Sequence, residues 1–411
     1  MKDERRNFVA HSFEGGLYGG GIAFVSAETV LPAMAASLGA PAWVISLLPG
    51  ANFLGLMVVP IFFAAFVESK PRMRPICIAT GFPQRFVFFI AAMALFLFGE
   101  SHPFWAMVVV SLTPFLSGII GGIGLGAWMQ LVARTVPAGR RSSMHALRNL
   151  ITAVIGIGAA FFVKWTLERY PGAFGFGILH LAAFVTLFGS FLLFLVIKED
   201  VPETPIVTKR RTAKSYLVDL MDILRQDKNF RYYTVMRLFG TAFMFQMPFM
   251  SIYALQKLET SEGFVGSLLT AQIIGSVIGN LIGGWWGDRA GGRVLLITAR
   301  ILFLVMYGLG AIASSEWLFL LYFGVFGFSF TLNTIGNLTL LLEIAPDERR
   351  PTYGALAGFI NGPGLIIFSL VGSVFWTSLQ SMGFQAGVAG VGSIISLIAI
   401  WMVVEPRTRS N

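Results

Sequence analysis

The chain has 411 residues, of which 55% are hydrophobic and only 12% are charged. A soluble globular protein carries about 25% charged residues, so this chain has too little polar material to cover a surface in water. Its single cysteine, Cys77, excludes an internal disulfide, and with four scattered histidines it forms no metal-ligand cluster, so no metal or cofactor is expected.

Long apolar stretches dominate the chain from end to end. A membrane-spanning helix needs about 20 apolar residues. On that template the sequence predicts an all-α membrane protein with 12 transmembrane helices in two six-helix bundles, and it shows no cleavable signal peptide. The predicted spans are 15–38, 42–66, 76–98, 104–133, 144–165, 174–197, 230–255, 263–286, 294–314, 317–342, 353–379 and 384–404.

The net charge of +9 is explained by the positions of the basic residues. Only Lys164, Arg169 and Lys257 fall in loops on the side opposite the termini. Cytoplasmic loops carry an excess of Lys and Arg, so both termini are expected in the cytoplasm. The positive charge therefore indicates membrane topology, and no nucleic-acid partner is expected. Compact loops favour a bacterial inner membrane.

The sequence divides into two halves that resemble each other. We expect an N-terminal bundle at 1–197, a cytoplasmic linker with an amphipathic helix at 198–229, and a C-terminal bundle at 230–411. The loop VPAGRR after span four matches APDERR after span ten, which aligns Arg140 with Arg349. A six-plus-six duplication of this kind is one organisation of membrane transporters.

The most specific motif is GGWWGDRAGGR at 283–293, between spans eight and nine. It resembles the loop signature of the major facilitator superfamily, whereas the first-half copy, VESKPRMR at 67–74, has Glu in place of Asp and has no Gly. The resemblance implies alternating access, a central cavity lined by spans one, four, seven and ten, and a cytoplasmic gate. The gate candidates are Glu68, Arg72, Arg140, Asp288, Arg289, Arg293 and Arg349. Anchoring of helix ends in the head-group layer is the alternative role for them.

Glu28 is the acidic residue that the sequence places deepest in the membrane, near the middle of span one. Ionisable groups at this depth are costly and are functional hypotheses by default. A carboxyl among apolar neighbours could take and release a proton, so Glu28 is the candidate for proton coupling. The alternative is a structural ion pair with an arginine from another span. Arg85 and Arg300 recur in the two halves, which favours a structural role for both.

Other polar residues in the spans are candidates for the cavity lining or the substrate site. Each could equally make a hydrogen bond between helices. For Arg237 the alternatives are an anion site, a partner for Glu28, and a side chain that reaches the head-group layer. The candidates are Asn52, Trp128, Gln130, Arg237, Gln246, Asn333, Asn337 and Asn361.

These features predict a secondary active transporter that moves a small solute, with proton coupling as one option. The sequence contains no phosphate-binding loop and no nucleophile–base set, so neither nucleotide-driven pumping nor enzymatic catalysis is expected, and no catalytic residue is assigned. The alternative is a membrane sensor or binding protein of the same fold that no longer transports, which the altered first-half loop favours. A monomer in the lipid bilayer is expected, with a small-molecule solute, and protons where coupling occurs, as partners.

Overall fold

The structure, a computed structural model, describes residues 2–199, 221–346 and 350–404. These residues form helices joined by short turns, and the described part of the chain contains no strand. Most of the predicted linker lies outside the described residues, as does Arg349. Residues 221–226 of the linker are helical.

The helices follow one another with few residues between them. The first seven are α1 Lys2–Ala23, α2 Val30–Ser37, α3 Ala42–Glu68, α4 Arg74–Phe98, α5 Pro103–Thr135, α6 Arg141–Arg169 and α7 Ala173–Val196. The remaining six are α8 Lys228–Phe239, α9 Met247–Leu258, α10 Phe264–Ile312, α11 Glu316–Ile344, α12 Arg350–Leu379 and α13 Met382–Met402. Short 3-10 turns occupy Ala138–Arg140 and Ala242–Phe245.

The first predicted span is two helices rather than one. α1 begins at Lys2, well before the expected start, and a turn at residues 24–29 separates it from α2. Pro32 explains the break, because a proline has no backbone N–H and its ring clashes with the carbonyl four residues earlier, which belongs to Glu28. The break between α8 and α9 likewise precedes a proline, Pro248.

The 49-residue helix α10 contains two spans. Gly291 interrupts it with φ 84° and ψ 170°, a backbone conformation that is essentially restricted to glycine. The interruption lies inside the motif that predicted a turn. Ten described stretches are long and apolar enough to cross a membrane. With α10 as two spans and α1–α2 as a further one, the protein has the 12-helix architecture expected from the sequence.

The chain forms two compact units. In the first, α1 packs against α6 and α7, and α4 packs against α5 and α7. In the second, α8 packs against α12 and α13. Among the described residues, the first unit comprises 2–40, 50–199 and 261–266, and the second comprises 41–49, 221–260, 267–346 and 350–404.

The same hydrogen bond ties the first helix of each unit to the end of the last. The Asn7 side-chain oxygen accepts from the backbone N–H of Lys198 at 3.0 Å. In the second unit the Asn229 side-chain oxygen accepts from the backbone N–H of Val404 at 3.1 Å. These matching contacts set a common register for the two units, so a residue in one unit has an identifiable counterpart in the other.

Candidate functional site

A cavity of about 170 Å³ lies inside the first unit. Side chains of α1, α3, α4, α5, α6 and α7 surround it, so it forms where the helices of this bundle converge. Much of the wall is apolar, but charged and hydrogen-bonding groups are concentrated on it. The polar side chains that line it are Glu14, Tyr18, Thr80, Gln84, Arg85, Trp128 and Arg148.

A buried ion pair forms the polar centre of this cavity. Arg85 Nη2 donates to Glu14 Oε1 at 2.9 Å, and the two side chains are only 3% and 5% exposed. Arg85 also donates to Ser190 Oγ at 3.0 Å and to the carbonyl of Gly81 at 3.0 Å. The pair joins α1 to α4 and α7. Burial of two charges costs several kcal/mol per ion before their attraction repays it, so this pair is an expensive feature for lipid-embedded helices.

Trp128 and a second arginine extend the site on the other side of Glu14. Trp128 Nε1 donates to Glu14 Oε2 at 3.3 Å. The guanidinium of Arg148 lies 5.0 Å from the centroid of the Trp128 ring, within the range of a cation–π contact. Gln84 Nε2 donates to the Tyr18 hydroxyl at 3.0 Å. The lining thus offers one carboxylate, two guanidinium groups, an amide, hydroxyls and an indole to a molecule in the cavity.

Glu28 lies in the turn between α1 and α2, where its side chain is half-buried. Ser26 Oγ donates to Glu28 Oε2 at 3.1 Å. The described lining of the cavity in this unit does not include Glu28. Its role in proton coupling therefore remains a prediction, and Glu14 is the carboxylate that the structure places in the cavity.

The remaining polar candidates of the first unit make hydrogen bonds outside the cavity lining. Asn52 Nδ2 donates to the carbonyl of Pro114 at 3.3 Å, which ties α3 to α5. Gln130 Oε1 accepts from Arg134 Nη2 at 3.3 Å, one turn along α5. Among the first-unit candidates for the substrate site, Trp128 is thus the one that the cavity includes.

In the second unit a polar network connects α8, α10 and α11. Arg300 Nη2 donates to Asn333 Oδ1 at 2.7 Å, and Asn337 Nδ2 donates to the same oxygen at 2.9 Å. The Tyr233 hydroxyl donates to the carbonyl of Asn337 at 3.0 Å, and Arg237 Nη1 donates to the Tyr233 oxygen at 3.2 Å. The structure therefore brings three of the predicted residues, Arg237, Asn333 and Asn337, into one network.

The two other second-unit candidates lie apart from this network. Gln246 is fully buried, and its Nε2 donates to the carbonyls of Tyr307 and Met382, at 3.4 Å in both cases. Asn361 is half-buried on α12.

The predicted gate residues are mostly exposed at helix ends. Arg72, Arg140 and Asp288 are exposed, and Glu68 is the last residue of α3. Arg289 Nη1 donates to the carbonyl of Trp285 at 3.1 Å, and its guanidinium lies 4.4 Å from the Trp285 ring centroid.

Arg293 fastens the start of the second half of α10 to the end of α13. Its Nη2 donates to the carbonyl of Trp401 at 2.9 Å, and its Nε donates to that of Ile400 at 3.3 Å. These bonds join one helix end to another. The gate and the anchoring of helix ends in the head-group layer both stay predictions.

Sequence reasoning missed three residues of the first unit that carry its polar contacts. Glu14 lies one residue before the predicted first span, and Arg148 was not among the cavity candidates. Glu199 accepts from the backbone N–H groups of Met73 and Arg74 and pairs with Arg134 at 3.0 Å. A search for the acid that neutralises Arg85 at membrane depth would have pointed to Glu14, because α1 continues in helical register from a charged start.

The family model described as "Major Facilitator Superfamily" matches residues 232–411. Among curated proteins, the "Na(+), Li(+), K(+)/H(+) antiporter" of Planococcus maritimus is 28% identical over 146 residues, which is 34% of this chain and 34% of that protein. "Inositol transporter 4" of Arabidopsis thaliana is 23% identical over 142 residues, 34% of this chain and 24% of that protein. The matches therefore span about a third or less of these relatives.

The likeness to solved structures extends over nearly the whole chain. A crystal structure of a D-xylose–proton symporter superposes with a TM-score of 0.72 at 14% sequence identity. The superposition covers 97% of this chain and 98% of the symporter. At this identity the likeness concerns the fold alone, and it extends to the first half of the chain, which the family model does not match.

Proposed function

Because this chain belongs to the major facilitator superfamily, we propose that it is a secondary transporter that moves a small solute across a membrane by alternating access. In this mechanism two helical bundles expose a site near the membrane midplane to one side at a time. The proteins it resembles are named as transporters of several kinds of solute, so their names favour transport and leave the substrate open.

The observation that carries the proposal is the ion pair of Glu14 and Arg85 in the wall of the first-unit cavity. A buried ion pair contributes little net stability compared with apolar packing, so its presence inside the first helical unit needs another reason. Protonation of Glu14 would leave Arg85 free to bind another group, and deprotonation would restore the pair. The pair could therefore alternate between partners during a transport cycle, which is what coupling to protons requires.

The cavity lining favours a small hydrophilic solute. An indole face with adjacent amide, hydroxyl and charged groups can contact an apolar ring or chain on one side and hydrogen-bond polar substituents on the other. We further propose a monomer in a bacterial inner membrane, with both termini in the cytoplasm. The distribution of Lys and Arg supports this orientation.

The proposal is tested in proteoliposomes. The purified chain is first screened by thermal shift at pH 6 and pH 8 against sugars, polyols, nucleosides, amino acids and organic acids, because a ligand of the folded state raises its melting temperature. Uptake of the solute that stabilises the protein is then measured with and without an imposed proton gradient. We expect the gradient to drive accumulation in the wild type.

Three variants assign the coupling site. Glu14→Gln should abolish gradient-driven accumulation and keep solute exchange, because the carboxamide retains the shape and loses the proton site. Glu28→Gln should reproduce this loss only if the turn between α1 and α2 carries the coupling. Glu100→Gln, in an exposed turn, is the control and should behave as the wild type. Ligand binding without any flux would contradict transport and favour a sensor.

A further inference from the structure

At one pair of equivalent positions the first unit has a charged residue and the second unit has an uncharged one. Counting seven residues along the chain from the matching asparagines, Asn7 and Asn229, gives Glu14 in the first unit and Met236 in the second. Arg85 donates to the carboxylate of Glu14 at 2.9 Å, whereas Arg300 lies 3.5 Å from the sulfur of Met236. The second unit therefore has the arginine and lacks the acid.

Arg300 is nevertheless as deeply buried as Arg85. It is 1% exposed, and its other hydrogen bonds go to the carbonyl of Gly240 at 3.4 Å and to Asn333 Oδ1 at 2.7 Å. Among the described residues no carboxylate forms an ion pair with it. An uncompensated positive charge at membrane depth is costly and marks a functional position by default.

The bond from Arg300 fixes the orientation of the Asn333 amide. A guanidinium can only donate, so the atom of Asn333 that it contacts must be the oxygen. Asn337 donates to the same oxygen, which leaves that acceptor fully used. The Asn333 Nδ2 group, with its two N–H donors, accordingly points away from Arg300. Arg300 is thus a positioning residue: it holds the Asn333 oxygen and thereby orients the Nδ2 donor of Asn333.

A second cation completes the donor set. Arg237 is half-buried on α8, and Nη1 donates to the Tyr233 hydroxyl, which in turn donates to the carbonyl of Asn337. No carboxylate among the described residues pairs with Arg237. The network therefore combines two arginines, which form no ion pair with a described carboxylate, and the Asn333 amide, whose N–H donors point away from Arg300. A ligand that complements these groups offers acceptor oxygens and negative charge.

We propose that the second unit holds the recognition site for an oxyanion, which is a carboxylate or phosphate group of the solute. Arg237 and Asn333 contact this oxyanion, and Arg300 positions Asn333 without contacting it. This inference extends the proposed function and rests on it in one respect, since the anion is a substrate only if the chain is a transporter. The negative charge that the Glu14 side chain supplies to Arg85 in the first unit is supplied by the ligand in the second. An anionic lipid headgroup has the same chemistry, and the test separates it from a soluble anion.

The test measures binding to the full-length purified chain, so it requires no transport. The probes are lactate against lactamide and glucose 6-phosphate against glucose, so that each anion has a neutral counterpart of similar shape. Melting temperatures are recorded in nanodiscs of phosphatidylcholine alone and of phosphatidylcholine with phosphatidylglycerol. We expect at least one anion to raise the melting temperature in both lipids, and its neutral counterpart to leave it unchanged.

Two variants locate the site. Arg237→Gln should weaken anion binding by roughly 10- to 100-fold, because it removes a charged donor. Met236→Glu places a carboxylate beside Arg300, as Glu14 stands beside Arg85, and should weaken binding to a similar degree while leaving the fold intact. Arg231→Gln, an exposed arginine on the same helix, is the matched control and should bind as the wild type.

Several results would overturn the inference. These are equal shifts with the neutral probes, no shift with any anion, binding unchanged in both Arg237→Gln and Met236→Glu, or a shift caused by phosphatidylglycerol alone. If anions bind as described and proteoliposomes show no flux, the proposed transport function is wrong and the proposed anion site is supported. If a neutral solute is transported and no anion binds, the proposed transport function is supported and the proposed anion site is wrong.

Discussion

The ion pair of the first unit allows a quantitative prediction about stability. Glu14→Met replaces the acid with the residue found at the equivalent position of the second unit, and it leaves Arg85 buried without its carboxylate. Removal of one partner of a buried pair costs about 3–5 kcal/mol. Arg85 keeps the carbonyl of Gly81 and the hydroxyl of Ser190 as acceptors, so we expect the lower end of this range. About 3 kcal/mol corresponds to a roughly 150-fold shift in the unfolding equilibrium.

A double variant separates the energetic effect of the unpaired charge from that of changed packing. The combined variant Glu14→Met, Arg85→Met removes both charges and should recover most of the lost stability, since an apolar replacement of a buried pair is often neutral or stabilising. Stability is measured by far-UV circular dichroism during reversible unfolding in mixed dodecylmaltoside and SDS micelles. The exposed Glu100→Met is the control. A single variant within about 0.5 kcal/mol of the wild type, or a double variant as unstable as the single one, would refute the reasoning.

Two further predictions concern helix contacts of the first unit. A Cβ at Gly118 would collide with the backbone of Asn52, so Gly118→Ala should destabilise the protein by about 1–3 kcal/mol in the same unfolding experiment, whereas Gly158→Ala, which faces open space on α6, should not. Destabilisation of equal size in both would contradict this close packing. Glu199→Gln weakens the cap of α4 and the pair with Arg134 and should cost about 1–3 kcal/mol. The largely exposed Asp3→Asn should cost less than about 0.5 kcal/mol, and an equal loss in both variants would argue against the cap.

The sequence alone determined the features that depend on neighbouring residues in the chain. Each span could be recognised because lipid requires about 20 apolar residues wherever a helix crosses it, and this requirement is local. The interruption at Gly291 was predictable for the same reason, since the motif around it concentrates glycines with charged residues. The first span was predicted less accurately, because the charged residues that begin α1 hid a helix that starts at Lys2. The break before Pro32 was not predicted either.

Only the tertiary structure decided which polar groups meet. Glu14 and Arg85 are 71 residues apart in the chain, and they pair because α1 and α4 converge on the same cavity. From sequence, Glu28 was the more conspicuous acid, since it has more apolar residues on both sides. The equivalence of Glu14 and Met236 likewise emerged from matching hydrogen bonds at helix ends. Hydropathy is a property of consecutive residues, so the sequence is enough to evaluate it. The partner of a charged side chain depends on which helix faces pack together, and that is set by the tertiary structure.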